Sequence, residues 1–313
     1  MEPFEVVLNF ARLVLLALVP YVLASQGTML SGRTAIFNVA QEGIMLVGAS
    51  VGFLAAFKSN SLLGGLLAAA LVGGLFGLAL AYATVHLKLD QFVVGLALFF
   101  TGLGLSSLAY KLVIGVTLRP PLIPTLRPVP IPLLSQIPLV GPLLFNQNVL
   151  VYFSVLLTLG LYWWLYQTSW GLNLRAVGEN PRAADSLGVP VIRLQYLTTI
   201  LGSMLIGLAG AYLPMVYTGT FTEGIVQGRG WLAIALTFFG GWRPDFILLG
   251  ALFFAAVEVL ALRVQIAGGV IPYQFLLTLP YVATIVVMTL TFGRARTPAF
   301  LGLNYDREKR GLG

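Results

Sequence analysis

Residues 61–85 read Ser61-Leu62-Leu63-Gly64-Gly65-Leu66-Leu67-Ala68-Ala69-Ala70-Leu71-Val72-Gly73-Gly74-Leu75-Phe76-Gly77-Leu78-Ala79-Leu80-Ala81-Tyr82-Ala83-Thr84-Val85, without one charged side chain. A helix needs about 20 apolar residues to cross the hydrocarbon core of a bilayer, and this stretch is longer than that. Further apolar runs fall at about 6–26, 35–57, 91–112, 148–168, 194–217, 230–242, 245–262 and 272–291. The expected fold class is an all-α polytopic membrane protein with about 8–10 transmembrane helices, one or two of them discontinuous. Gly73 and Gly77 form a G-x-x-x-G pair, which points to close helix packing rather than to chemistry.

The rest of the composition agrees. Of 313 residues, 58% are hydrophobic and 9% charged, with mean hydropathy +0.92. A soluble domain carries about 25% charged residues. The chain therefore lacks the charge to clothe a water-facing surface, which excludes a soluble enzyme, a disordered protein and a nucleic-acid binder with a basic groove. There is no cysteine, and the single histidine, His86, cannot build a His/Cys metal site. No metal site, cofactor or catalytic residue is expected. Glu2 and Glu5 stand where a signal peptide would be positive, so residues 1–24 read as a permanent helix.

The break at 113–147 holds 8 of the 17 prolines, among them Pro120, Pro121, Pro124, Pro128, Pro130 and Pro132. Prolines so spaced cannot continue a helix, and the segment is expected to be an extended external loop. Orientation follows from the basic residues. With 169–193 and 293–313 assigned to the cytoplasm, the inner set is Arg33, Lys88, Arg175, Arg182, Arg193, Arg243, Arg294, Arg296, Arg307, Lys309 and Arg310. The outer set is Lys58, Lys111, Arg119, Arg127, Arg229 and Arg263. Eleven against six obeys the positive-inside bias. Trp163, Trp164, Trp170 and Trp242, at the ends of runs, read as interfacial anchors.

Two glycine-interrupted, polar-tipped stretches depart from plain apolar helices. One runs from Gly32 to Gly43 and holds Asn38, Gln41 and Glu42; the other runs from Glu223 to Gly230 and holds Gln227. Such segments in corresponding places of two halves point to discontinuous helices lining a path. Glu42 and Glu258 lie within apolar runs, where a charge costs about 2.5–3.5 kcal/mol at mid-membrane, so each should face the bundle interior and find a partner. For Glu258 the alternatives are a structural ion pair, a hydrogen bond to a broken-helix backbone, or contact with substrate. Enzyme chemistry has no support: Gly48-Ala49-Ser50-Val51-Gly52 lies inside an apolar helix rather than on a strand-to-helix turn, and no phosphate-binding G-x-x-x-x-G-K loop exists.

Between Asn173 and Pro190 the chain spells a short capped helix. Asn180 suits the N-cap, Pro181 the first helical position, Gly188 a left-handed end, and Pro190 blocks continuation. A stub of about two turns, roughly 10 Å, is unstable alone and has to lie against a surface. The small Ala183-Ala184 face would permit close docking, and Arg175, Arg182 and Asp185 could orient a partner.

Taken together, Phe37-Asn38-Val39-Ala40-Gln41-Glu42-Gly43 and its continuation to Ala49, the stretch Leu174 to Gly188, and Gly228-Arg229-Gly230-Trp231 through Gly240-Gly241-Trp242-Arg243-Pro244 resemble permease subunits of ABC importers. The similarity is greatest to the branch that carries nucleosides and simple sugars, which also includes branched-chain amino acid permeases. It covers about residues 10–292, and Pro280-Tyr281 fits as well. The resemblance implies one transmembrane permease domain over 1–292, with a cytoplasmic coupling loop at 169–193 and a basic cytoplasmic tail at 293–313. It implies a bacterial cytoplasmic (inner) membrane location and alternating access between two permeases, the second identical or paralogous. ATP would be bound by separate ABC ATPase subunits, and an extracytoplasmic binding protein would deliver the substrate. The coupling helix falls on Asn180, Pro181, Arg182, Ala183, Ala184 and Asp185 up to Gly188, flanked by Arg175 and Glu179. The pathway lining falls on Asn38, Gln41 and Glu42, with Gln227 and Glu258 as further polar groups. Ala40 and Gln41 stand where the family more often carries Gly and Val, so fine specificity does not transfer. A branched-chain amino acid permease and an ion-coupled secondary transporter using Glu42 and Glu258 are the alternatives.

Overall fold

The computed structural model describes residues 3–266 (118, 133, 138 and 139 excepted) together with scattered positions between 275 and 289 and the segment 297–306. In chain order the helices are α1 (Pro3–Gly32), α2 (Gln41–Ser59), α3 (Leu62–Ala81), α4 (Gln91–Ile114), α5 (Val140–Leu144), α6 (Val149–Gln167), α7 (Ser169–Glu179), α8 (Pro181–Ser186), α9 (Val191–Tyr212), α10 (Arg229–Phe239) and α11 (Pro244–Ile266). A π-turn extends α3 to His86 and another extends α9 to Thr218. Seven of these helices, α1, α2, α3, α4, α6, α9 and α11, are long and apolar enough to cross a membrane, and α10 is a shorter apolar helix. The run at 272–291, with Pro280 and Tyr281, lies largely outside the described residues.

Helix α9 forms the centre because its glycines let three neighbours come close. A Cβ added at Gly202 would strike the Gly27 carbonyl of α1, one at Gly207 the Ala69 carbonyl of α3, and one at Gly210 the Met45 carbonyl of α2. Gly73 and Gly77 of α3 face Ser203 of α9 in return. Small residues supply this packing in lipid, where apolar side chains have nothing to gain by leaving the solvent. The opposite side of α3 carries Leu63, Leu67, Leu71, Leu75 and Leu78, all exposed, at the spacing of one helix face. Ser50 is buried in α2, its hydroxyl donating to the Ser106 carbonyl (2.7 Å), in keeping with a packing rather than a nucleophilic residue.

The two ends of the bundle carry the basic residues much as their count suggests. Arg33, Lys88, Gly178 of the α7 end and residues 299–306 meet at one end. At the other end Lys111 pairs with Glu223 (2.9 Å), and Arg263 donates to the Val6 carbonyl (3.1 Å). Arg229, counted with the outer loops, is instead held inside the bundle. The proline-rich loop is non-helical over 119–131 but, unlike the extended segment expected over 113–147, folds into a short turn at Leu134–Gln136 and α5. It is also anchored: Ile123 N–H donates to the Gly219 carbonyl (2.8 Å) and Leu126 N–H to the Met215 carbonyl (2.9 Å). A two-residue antiparallel pair, β1 (Val129–Pro130) with β2 (Asn146–Gln147), closes its neck.

Trp163 and Trp170 are largely exposed, as interfacial anchors should be, but Trp242 is 0% exposed. It sits under Gly32, where a Cβ would collide with the indole nitrogen, and its ring meets Phe238 edge-on. Trp242 is a wedge inside the protein because its left-handed backbone (φ 55°) turns the chain between α10 and α11 back into the bundle.

Candidate functional site

Both polar-tipped stretches are breaks in the helical framework, and they meet. The first begins where Ala35, with φ 72°, turns the chain out of α1; residues 36–40 are non-helical and α2 starts at Gln41. Gly43 packs on the backbone of Phe99 in α4. Phe99 lies eight residues into α4, so Gly43, in the first turn of α2, lies about 12 Å inside the bundle, measured from the basic end. The second break runs from Gly219 to Gly228, with left-handed backbone at Gly219, Gly224, Gln227 and Gly228. It leads into α10, whose Trp231 ring lies 5.5 Å from Phe99. The starts of α2 and α10 are therefore at one level. With 11 residues, about 16 Å, α10 is too short to cross a bilayer by itself.

The contact is made by Glu42. Its two carboxylate oxygens accept the backbone N–H groups of Gly228 and Gly230, each at 2.8 Å. Gly228, the N-cap of α10, has no side chain to satisfy the free donors of the first turn. A carboxylate borrowed from α2 takes that place, where the helix dipole favours negative charge. A Cβ at Gly230 would meet the Cα of Glu42 at 2.6 Å, so only glycine allows the approach.

The next residue, Arg229, pairs with Glu258 of α11, whose second oxygen accepts from the Tyr21 hydroxyl of α1 at 3.0 Å. The guanidinium also donates to the Val226 carbonyl (3.1 Å). A buried ion pair needs such extra hydrogen bonds to offset its desolvation. One turn of chain thus joins α1, α2, α10 and α11. The predicted partner of Glu258 is a structural cation, Arg229.

Of the five residues assigned to the pathway by sequence, Glu42, Gln227 and Glu258 surround the start of α10. Asn38 and Gln41 lie on the α9 side of the first break. Asn38 donates to the Ser203 hydroxyl (3.3 Å) and accepts from Ala40 N–H (2.9 Å), while Gln41 donates to the Asn38 carbonyl (3.2 Å). Asn38 and Gln41 are fully buried, and only Gln227 of the five is exposed. Asn38, Glu42 and Glu258 thus have partners within the protomer, while the buried Gln41 side-chain oxygen has none among the described residues. The roles of Arg229, Gly230 and Tyr21 are not visible in sequence: Arg229 reads there as a loop cation, and its partner stands 29 positions away.

The short helix α8 has the caps its sequence spells. The Asn180 side chain accepts from Ala183 N–H (3.0 Å), Pro181 occupies the first turn, and Gly188 takes φ 84° while Val189 N–H reaches back to the Ala184 carbonyl (3.0 Å). Pro181 and Ala184 turn inward, Ala184 onto an apolar cluster with Leu174, Val177 and Tyr305. The outward face is Arg182, Ala183, Ser186 and Leu187, the last 85% exposed. Of the flanking residues, Arg175 stacks over the Tyr166 ring (4.9 Å), and Glu179 accepts from Ala299 N–H (3.3 Å). Both engage their own chain. Asp185 is partly buried on the same helix.

The family described as the branched-chain amino acid transport system permease component matches residues 10–292. The chain belongs to that family. It is an ABC importer permease, a multi-pass transport component of the cytoplasmic membrane. The permease is 30% identical to the guanosine ABC transporter permease NupQ of Bacillus subtilis, over 93% of this chain and 94% of the relative. It is 34% identical to the nucleoside ABC transporter permease NupC of Lactococcus lactis, over 93% and 94%. A Haloferax volcanii protein named as a glucose ABC transporter permease is 31% identical over 91% and 94%. A solved inward-facing ABC transporter chain superposes with a TM-score of 0.50 at 19% identity, covering 89% of the permease and 85% of that chain, a likeness of fold alone. Permeases of this class work with ABC ATPase subunits and a substrate-binding protein.

Proposed function

We propose that this permease carries a nucleoside or simple sugar inward, forming the pathway with a second, identical or paralogous, permease. The observation that carries this reading is the junction of two helix breaks at one level in the bundle, locked by Glu42 onto the start of α10. Broken helices at membrane depth are tolerated only where they are buried in protein or line a cavity. The nucleoside or sugar class is favoured by the names of relatives matched over nine-tenths of both chains. The basic end is the cytoplasmic side, so 169–193 is the docking loop, 297–306 lies beside it and 113–147 is external. An ATPase subunit grips the outward face of α8 through Arg182, Ala183, Ser186 and Leu187. ATP stays on that subunit, and the permease needs no cofactor of its own. Glu42 and Glu258, the carboxylates an ion-coupled transporter would use, are engaged with the α10 backbone and Arg229, which weighs against that alternative.

The test is purification of the chain from its native membrane in mild detergent, identification of co-purifying subunits, and reconstitution into liposomes with ATP inside. Uptake of guanosine, adenosine, ribose, glucose and leucine is then compared. ATP-dependent uptake of a nucleoside or sugar is the expected result. Uptake of leucine alone would move the permease to the amino acid branch, and ATP-independent uptake along an ion gradient would overturn the reading.

A further inference from the structure

Residues 297–306 cross the basic end as a strap whose polar contacts reach the end of α7, the first break and the segment before α4. Ala299 N–H donates to the Glu179 carboxylate (3.3 Å) and Phe300 N–H to the Gly178 carbonyl (2.9 Å), tying the strap to the end of α7, immediately before α8. Gly302 N–H donates to the Ala35 carbonyl (3.0 Å), at the start of the first break. The Gln91 amide donates to the Leu303 carbonyl (3.3 Å) and the Asn304 side-chain oxygen (3.1 Å), while its own oxygen accepts Phe37 N–H (2.7 Å) from that same break. Asn304 donates to the Leu89 carbonyl (2.8 Å), and Asp306 pairs with Lys88 (2.8 Å).

Arg33 makes the complementary connection. Gly178 lies on its carbonyl so closely that a Cβ there would stand 2.5 Å from the oxygen and 3.3 Å from Pro298. The Arg33 side chain donates from Nε to the Trp242 carbonyl (2.9 Å), at the far end of α10, and from Nη2 to the Tyr166 hydroxyl (3.1 Å). Burial lowers the guanidinium below its ordinary pKa, yet arginine stays charged, so the cation depends on these acceptors. The end of α7 is thus wedged between the strap, which holds the first break, and Arg33, which holds the far end of α10, the helix that follows the second.

We propose that Arg33 and the strap 297–306 are positioning elements that pass movement of the ATPase-docking loop to both interrupted segments. Packed interiors transmit displacement because they have little free volume, and the carbonyls of Gly178, Ala35 and Trp242 are gripped directly. The inference rests on the reading of α8 as the docking helix.

The experiment uses the assembled importer in liposomes, with ATP hydrolysis, substrate uptake and ATPase co-purification measured on each preparation. Asn304→Ala with Asp306→Ala removes the strap's side-chain bonds to Leu89, Gln91 and Lys88, keeps the Gln91 bond to the Leu303 carbonyl, and leaves the outward face of α8 intact. The expected result is normal ATPase co-purification, continued hydrolysis, and uptake per ATP reduced about tenfold, within the range of coupling effects from residues that touch no ligand. Lys88→Asp and Asp306→Lys should each lower that ratio singly and restore it together; Asp is tolerated at the left-handed backbone of Lys88 (φ 56°). Unchanged uptake per ATP in the double alanine variant would overturn the proposal. Loss of the ATPase from that variant would also overturn it, because the strap would then be part of the docking surface. Absence of an ATPase from the wild-type preparation would instead remove the docking reading on which the inference rests.

Discussion

Glu42 on α2 accepts the backbone N–H of Gly230 on α10 at 2.8 Å, so a residue of one interrupted segment forms the cap of the other. The permease therefore cannot move α10 independently of the start of α2 while this bond holds.

Glu42→Ala should leave the donors of Gly228 and Gly230 unpaired away from water, at about 1–3 kcal/mol for each group. Thermal unfolding of the purified complex should fall by several degrees and uptake should be lost. A variant with wild-type melting would show that the carboxylate does not hold α10.

Glu258→Gln should lower stability as well as transport, because Arg229 would stay buried without its counter-charge, a loss of about 3–5 kcal/mol. Arg229→Met combined with Glu258→Leu should recover much of the folded yield, since paired apolar replacements of buried ions are often neutral. A double-mutant cycle on melting temperature measures the coupling; additive effects would mean that the two residues act separately.

Leu187→Asp should abolish ATPase co-purification without changing the stability of the isolated permease, because Leu187 is 85% exposed. Ala184→Asp should instead destabilise the permease itself, since Ala184 is buried in the apolar cluster beneath α8. Equal behaviour of the two variants in both assays would contradict the assigned faces of the helix.

Gly210→Val should prevent α9 from approaching α2, as even a Cβ would collide with the Met45 carbonyl. Overpacking of this kind costs about 1–3 kcal/mol or more when backbone is struck. Gly160→Val, where a Cβ meets nothing within 4 Å, is the matched control and should express normally.

The sequence by itself determined the membrane class, the number of long apolar runs, the capped stub α8 and the two irregular stretches. Those features depend on local quantities: apolar length, proline and glycine placement, and cap chemistry within a few residues of Asn180. Only the tertiary structure decided what the polar groups do. Asn38, Gln41, Glu42 and Glu258 read as a pathway lining because charge and amides are costly in lipid, and for Asn38, Glu42 and Glu258 partners inside the protein meet that cost. Those partners are Ser203, the N–H groups of Gly228 and Gly230, and Arg229, all distant in the chain. Trp242 likewise has the composition of an interfacial anchor, and a left-handed turn buries it. The strap shares no periodicity with what it holds, since its backbone donors reach Gly178 and Ala35 whatever side chains it carries. Backbone hydrogen bonds leave no mark in sequence, and here they join the end of the docking loop to the first break.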